Sequence, residues 1–194
     1  MSHVTPLRRT AITVEDLDRA LRFYRQVLGL KVWMRGRAGP ENPSFGRLMG
    51  APSGTVRYAI LQSGEVEWGM VGLFEVSAPR PPRRPLRQPG RAHRGEACLV
   101  FYTPDVRRIH RLASRRGAHV VCPPTSLVLE EHGVESLEMT LRDPDGVLLN
   151  FIQCVRGNLA PDNLFPGAPP AARPIRPRRP RGGRRPSARL RKPA

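Results

Sequence analysis

Asn150 is the one polar residue inside the run 147–153, which leaves the turn Asp143-Pro144-Asp145-Gly146 and is otherwise apolar up to its last residue, Gln153. An amide in such a strand is either hydrogen-bonded inside a core or lines a pocket. The other groups able to do chemistry are scattered. Cys98 lies in ACLVFYT, residues 97–103, a predicted buried strand. With no His in obvious reach, it reads as a core cysteine before it reads as a nucleophile. Tyr58 and Tyr102 carry phenols that can exchange protons, or simply pack. Glu130-Glu131-His132 has acid/base character but sits in a polar stretch that reads as a solvated loop. Cys98, Cys122 and Cys154 are odd in number and widely spaced. They make neither a disulfide framework nor a zinc ribbon, which fits a reducing cytosol.

Elements must hold these groups. In the turn, Pro144 presets φ, Asp143 can bond amides ahead of it, and Gly146 tolerates the exit geometry. The runs 134–142 and 147–153 on either side read as a hairpin. The first half starts with a strand at 7–14, where Ile12 and Val14 face one side and Arg9, Ala11 and Thr13 the other. Asp16 is placed to cap a helix whose Leu17, Ala20, Leu21, Tyr24, Val27 and Leu28 recur at helical spacing, and Gly29 ends it. A short strand at 30–34 follows. Residues 36–54 look like a loop, whose Phe45, Leu48 and Met49 are candidates for an apolar lid. Strands at 56–62 and 70–76 complete the half. The second half repeats the order: a strand at 97–103, a helix opened by Pro104 and Asp105 and closed by Gly117, a strand at 118–122, a loop at 123–133 and the final hairpin. A shift of 89 residues lays Asp16 on Asp105, Leu17 on Val106 and Arg9 on Cys98. The expected class is therefore α+β: two βαβββ modules pairing their curled mixed sheets around a concave cup. The modules span 1–78 and 97–156, with a connector at 79–96 and a tail at 157–194.

Composition narrows the function classes. The formal charge is +17. Ten Lys/Arg and no acid lie in 166–194, and six Arg and one Glu in 79–96, which leaves +2 for everything else. The folded part is thus near neutral. The tail is rich in Pro, Arg, Ala and Gly and is expected to be disordered, because it cannot bury enough apolar surface to offset its ordering entropy. Such a tail adds non-specific, salt-dependent nucleic-acid affinity at most, as no aromatics interleave with its cations. Arg107, Arg108, Arg111, Arg115 and Arg116 form a cationic helix face. No run is long and apolar enough for a transmembrane helix, and the first residues lack a signal core, so the expected location is cytoplasmic.

The stretches TAITVEDLDRALRFYRQVLGLKV at 10–32, FGRLMGAP at 45–52, MVGLFEV at 70–76 and LRDPDGVLLNFIQ at 141–153 resemble the vicinal oxygen chelate superfamily, which includes glyoxalase I, bleomycin-resistance proteins and extradiol dioxygenases. The resemblance covers roughly residues 7–156. It implies the paired-module fold and leaves the reaction open. Metal-using members take one ligand, usually His, Glu or Gln, from the first and last strand of each module. Carried over, these positions fall on Arg9, Glu75, Cys98 and Asn150. Arg9 stays protonated and repels a dication. The resemblance therefore implies a metal-free cup, with Arg9 paired to Glu75 or facing a ligand carboxylate or phosphate. An intact metal centre would need helpers such as Glu130 or His132.

The expected function is binding of a small molecule, anionic ones included, in a cup built from Arg9, Glu75, Cys98, Asn150, Tyr58, Tyr102, Phe45 and Met49, without cofactor. Glu75 and Tyr102 are the catalytic candidates if a bond is broken. The alternatives are a divalent-metal-dependent lyase, isomerase or dioxygenase, and a scaffold with a polyanion-binding tail. A homodimer with swapped modules is an open possibility.

Overall fold

The computed structural model describes residues 3–50, 54–77, 80–82 and 90–157. Its first module runs β1 (Arg9–Val14), α1 (Leu17–Gln26), β2 (Lys31–Ala38), α2 (Pro43–Leu48), β3 (Val56–Gln62) and β4 (Met70–Val76). The second runs β5 (Cys98–Tyr102), α3 (Val106–Ser114), β6 (His119–Leu129), a 3-10 turn (Glu130–His132), β7 (Val134–Arg142) and β8 (Leu148–Arg156). Each module forms one four-stranded sheet, ordered β1-β4-β3-β2 and β5-β8-β7-β6. The first strand of each pairs in parallel with the last, and the other pairs are antiparallel. These are the two βαβββ modules expected from the repeat.

Local signals explain the helices. The Asp16 carboxylate accepts the Arg19 N–H at 2.8 Å, and Asp105 accepts that of Arg108 at 2.8 Å. Asp105 is thus the cap of α3, and Pro104 lies before the helix rather than at its first position. Gly29 (φ 75°) and Gly117 (φ 78°) supply the left-handed backbone that follows each helix. The apolar stripes of α1 and α3 meet in one core. Leu17, Leu21 and Tyr24 pack with Ile12, Leu61 and Leu73 of the first sheet, and the same cluster holds Val106, Ala113, Met139, Leu141, Leu149 and Phe151. Hydrogen bonds also join the modules on this side. The Tyr24 hydroxyl donates to Asp143 at 2.9 Å, Arg19 reaches Asp145 at 2.6 Å, and the Glu15 N–H donates to Asp145 at 3.0 Å.

Three expectations need correction. The loop at 36–54 contains α2, with Asn42 capping the Phe45 N–H at 3.2 Å and Pro43 at a first helical position. β2 continues to Ala38 across a register shift between Val32 and Met34. β6 runs through Pro123 and Pro124 to Leu129, where a loop was expected. It is an edge strand, so prolines cost it no inner ladder bond, and its register slips between Cys122 and Thr125. The connector is described only in part, and the tail beyond Gly157 lies outside the described residues. No described helix is long and apolar enough to cross a membrane.

Candidate functional site

Strand alternation sorts the candidate residues onto two faces. Val71 and Leu73 of β4 belong to the core under the helices, so Met70, Gly72, Phe74 and Val76 face away from them. By the same alternation Arg9 lies opposite Ile12 and Val14, Cys98 and Tyr102 lie opposite Leu99 and Phe101, and Asn150 lies opposite Leu149 and Phe151. Arg9, Cys98, Tyr102 and Asn150 therefore all occupy helix-free faces. Tyr58, Phe45 and Met49 do so as well, packed with Phe74, Ile60 and Val56.

Glu75 does not join them. It shares the parity of Val71 and Leu73 and faces α1. Its carboxylate accepts the Leu17 N–H at 2.8 Å, satisfying one of the orphan donors of the helix start, and pairs with Arg57 at 3.2 Å. The expected Arg9–Glu75 pair is absent because the two side chains leave the sheet on opposite sides. Among the described residues the Arg9 side chain has no hydrogen bond or ion pair, and it is exposed.

The register locates the residue that sequence reasoning missed. Cys98 and Val100 pair with Leu148 and Asn150, while Arg9 and Ala11 pair with Met70 and Gly72. The counterpart of Asn150 in the first module is thus Gly72. A Cβ at Gly72 would meet the Phe74 ring at 2.8 Å and Ile60 at 3.2 Å, so a side chain there requires the Phe74 ring to shift. Phe74 stacks on Tyr58 at 6.0 Å between centroids, and Phe45 of α2 closes on Tyr58 at 5.6 Å. The lid expected of Phe45 and Met49 is therefore packed on this face of the first sheet.

The second module is more open. Asn150 donates to Thr140 Oγ1 at 3.2 Å and to the Met139 carbonyl at 3.4 Å, which leaves its carbonyl oxygen to accept. Val100 beside it is 54% exposed. Cys98, expected in the core, is exposed because it leaves β5 on the side away from Leu99 and Phe101; partial burial of its sulfur, seconded by the charge of Glu96, still pushes the thiol up, so the neutral form prevails at pH 7. Burial, with Cys154 and Glu138 nearby, pushes the Tyr102 phenol up. Arg142 is buried on this face of β7. It donates to Glu96 at 3.0 Å, to the Arg91 carbonyl at 2.8 Å and to the Gly146 carbonyl at 3.0 Å, tying the end of the connector to the hairpin turn. This ion pair holds Glu96 down to about 2.

These donors do not fit a hard divalent ion. One family position is a guanidinium, one a glycine with no ligand to offer, one a soft thiol and one a neutral amide. Among the described residues no three His, Cys, Asp or Glu side chains stand together as a metal site. Glu130 and His132 precede Val134, six residues along β7 from the Thr140 that contacts Asn150, a separation of about 20 Å.

Comparison with solved structures agrees with this architecture. A glyoxalase family protein from Bacillus cereus superposes with a TM-score of 0.63 at 19% identity, over 79% of this chain and 96% of that one. A glyoxylase/bleomycin resistance protein/dioxygenase domain from Frankia sp. EAN1pec gives 0.52 at 18% identity, over 78% and 98%. Glyoxalase I from Zea mays gives 0.52 at 18% identity, over 76% of this chain and 46% of that one. No curated protein sequence matches. The family model described as Glyoxalase/Bleomycin resistance protein/Dioxygenase superfamily matches residues 3–151. With paired βαβββ sheets, the Asp143–Gly146 hairpin and that match, the chain belongs to this superfamily.

Proposed function

We propose that the protein binds a small anionic molecule against its helix-free faces, through Arg9 and without a divalent metal. The observation that carries this reading is Arg9 itself: a guanidinium at a metal-ligand position of the family, on the helix-free face, with no counter-charge among the described residues. A guanidinium donates two parallel hydrogen bonds to a carboxylate or phosphate, which fixes orientation as well as charge. Gly72 supports the same reading, since the position carries no ligand side chain and the Phe74 ring crowds it. Asn150 offers an acceptor for a hydroxyl or amide of the ligand, and Val100 an open apolar contact. The closed packing of Phe45, Tyr58 and Phe74 directs the ligand to the Arg9 edge and the second module.

A second copy of the chain is a natural further wall, because Cys98 and Val100 leave β5 open on that face. A reducing, cytoplasmic setting suits the three unpaired cysteines.

The test is a thermal-shift screen of carboxylates and phosphates on the full chain and on Arg9→Gln. Stabilisation by an anionic hit in the wild type and its loss in Arg9→Gln is the expected result. Equal stabilisation of both proteins, or stabilisation that requires added metal, contradicts the reading.

A further inference from the structure

Strand register lines up four residues across the whole second sheet. Tyr102 of β5 pairs with Ile152 of β8, Ile152 with Glu138 of β7, and Glu138 with Thr125 of β6. Met139 and Leu141 belong to the core, so Glu138, which alternates with them, stands on the helix-free face. Ile152 and Tyr102 share that face, opposite Phe151 and Phe101. β7 is an inner strand, so this carboxylate sits mid-sheet rather than at an edge. Neighbouring strands lie about 4.8 Å apart, which separates the Glu138 and Tyr102 backbones by about 10 Å, with Ile152 between them.

The Ser136 hydroxyl donates to Glu138 Oε1 at 2.8 Å, which leaves Oε2 to accept. Among the described residues Glu138 has no cationic partner. The cations of β7 and β8 are engaged elsewhere: Arg142 with Glu96 at 3.0 Å, and Arg156 with Glu135 at 4.0 Å. The adjoining row on one side is Val100, Asn150, Thr140 and Cys122, and on the other Cys154, Ser136 and Leu127. Neither row brings a Lys, Arg, Asp or Glu. Leu127 is 41% exposed, so the face is open to a ligand. The charge of Glu138 also reaches the Tyr102 phenol, after the larger effects of burial and Cys154. A half-buried carboxylate among uncharged and partly apolar groups lacks the counter-charge that would repay its desolvation.

We propose that this face binds a small organic ammonium ion. The Glu138 carboxylate takes the charged nitrogen, the Tyr102 ring flanks it, and Ile152 and Val100 support the carbon skeleton. A cation within about 6 Å of an aromatic face is attracted by the ring, and the spacing of Glu138 and Tyr102 leaves room for one between them. A divalent metal ion needs more oxygens than one carboxylate supplies. An anion is repelled by Glu138. The site does not depend on the anion reading of Arg9; a molecule that reaches both residues carries both charges.

The test is titration of the full chain with hexylammonium and with hexanol, a neutral molecule of the same length, followed by ligand-observed nuclear magnetic resonance. The chain carries a formal charge of +17, so non-specific electrostatics repel an ammonium ion, and saturable binding of one reports a specific site. Hexylammonium is expected to bind about fivefold more tightly than hexanol. Glu138→Gln, which still accepts the Ser136 hydroxyl, should abolish that preference and leave the hexanol affinity unchanged. Tyr102→Leu should reduce the preference about two- to fivefold. Arg9→Gln should leave it intact, so that a failure of the anion reading, seen as hexanoate binding equally to wild type and Arg9→Gln, is distinguishable from a failure here. Hexylammonium binding no tighter than hexanol, or a preference that survives Glu138→Gln, overturns the proposal. Circular dichroism confirms that each variant is folded.

Discussion

Asp143 links the hairpin turn to α1, and its ionisation should set how stability varies with pH. The residue is 4% exposed. One oxygen accepts the Asp145 and Val147 N–H groups at 2.9 and 2.8 Å, and the other accepts the Tyr24 hydroxyl at 2.9 Å. Those donors favour the carboxylate, but burial outweighs them and, with the charge of Asp145, lifts the group from 3.8 to about 6. Between about pH 4 and 6 the folded protein therefore holds a proton that the unfolded chain has released. Stability falls as pH rises through that window; the contribution is complete below about pH 4 and gone above about pH 6. Two units correspond to roughly 3 kcal/mol. Asp143→Asn keeps the oxygen that faces the two N–H groups and turns an NH₂ towards the Tyr24 oxygen, which can accept. Urea denaturation of wild type and variant from pH 4 to 7 gives the difference directly, provided the m values agree. The variant should gain roughly 3 kcal/mol on the wild type across that range. Parallel curves, or a wild type that strengthens with pH, would show that the three donors outweigh burial and refute the reasoning.

Other perturbations have equally definite outcomes. Gly72→Ala should cost about 1–3 kcal/mol by overpacking against Phe74, and adding Phe74→Leu should recover part of it, both read by chemical denaturation. Glu96→Gln should flatten the acid limb of stability. Arg142 holds Glu96 near 2, so its contribution is present above about pH 4.5 and lost as pH falls towards 2, which circular dichroism can follow. Asn150→Glu alone should not take up manganese in calorimetry, because Arg9 still repels the ion and Gly72 offers no ligand; stoichiometric uptake would mean that the helix-free faces have been misassigned.

Much of the fold was legible because its signals are local. Asp16 and Asp105 cap helices, Gly29 and Gly117 end them, and the Asp143–Gly146 turn forms, with the Gly146 N–H bonding the Asp143 carbonyl at 3.0 Å. α2 was not legible: six residues carry too little periodicity, although Asn42-Pro43 is a start signal. Glu75 was misplaced for a specific reason. β4 is apolar on both faces, so alternation gives no parity, and a one-residue slip moves a side chain across the sheet. Its partners, Leu17 and Arg57, are distant in sequence, as Asp143 is from Tyr24. The roles of Gly72 and Arg142 arise from strand register and tertiary packing, which no local pattern announces.

The most direct test of the central claim is the metal content of the full chain after equilibration with manganese, iron, nickel and zinc and then desalting, read by plasma mass spectrometry. With a guanidinium, a glycine, a lone soft thiol and an amide at the family's ligand positions, no stoichiometric metal that chelation removes is expected. About one metal ion per chain, lost on chelation together with anionic-ligand binding, would contradict it.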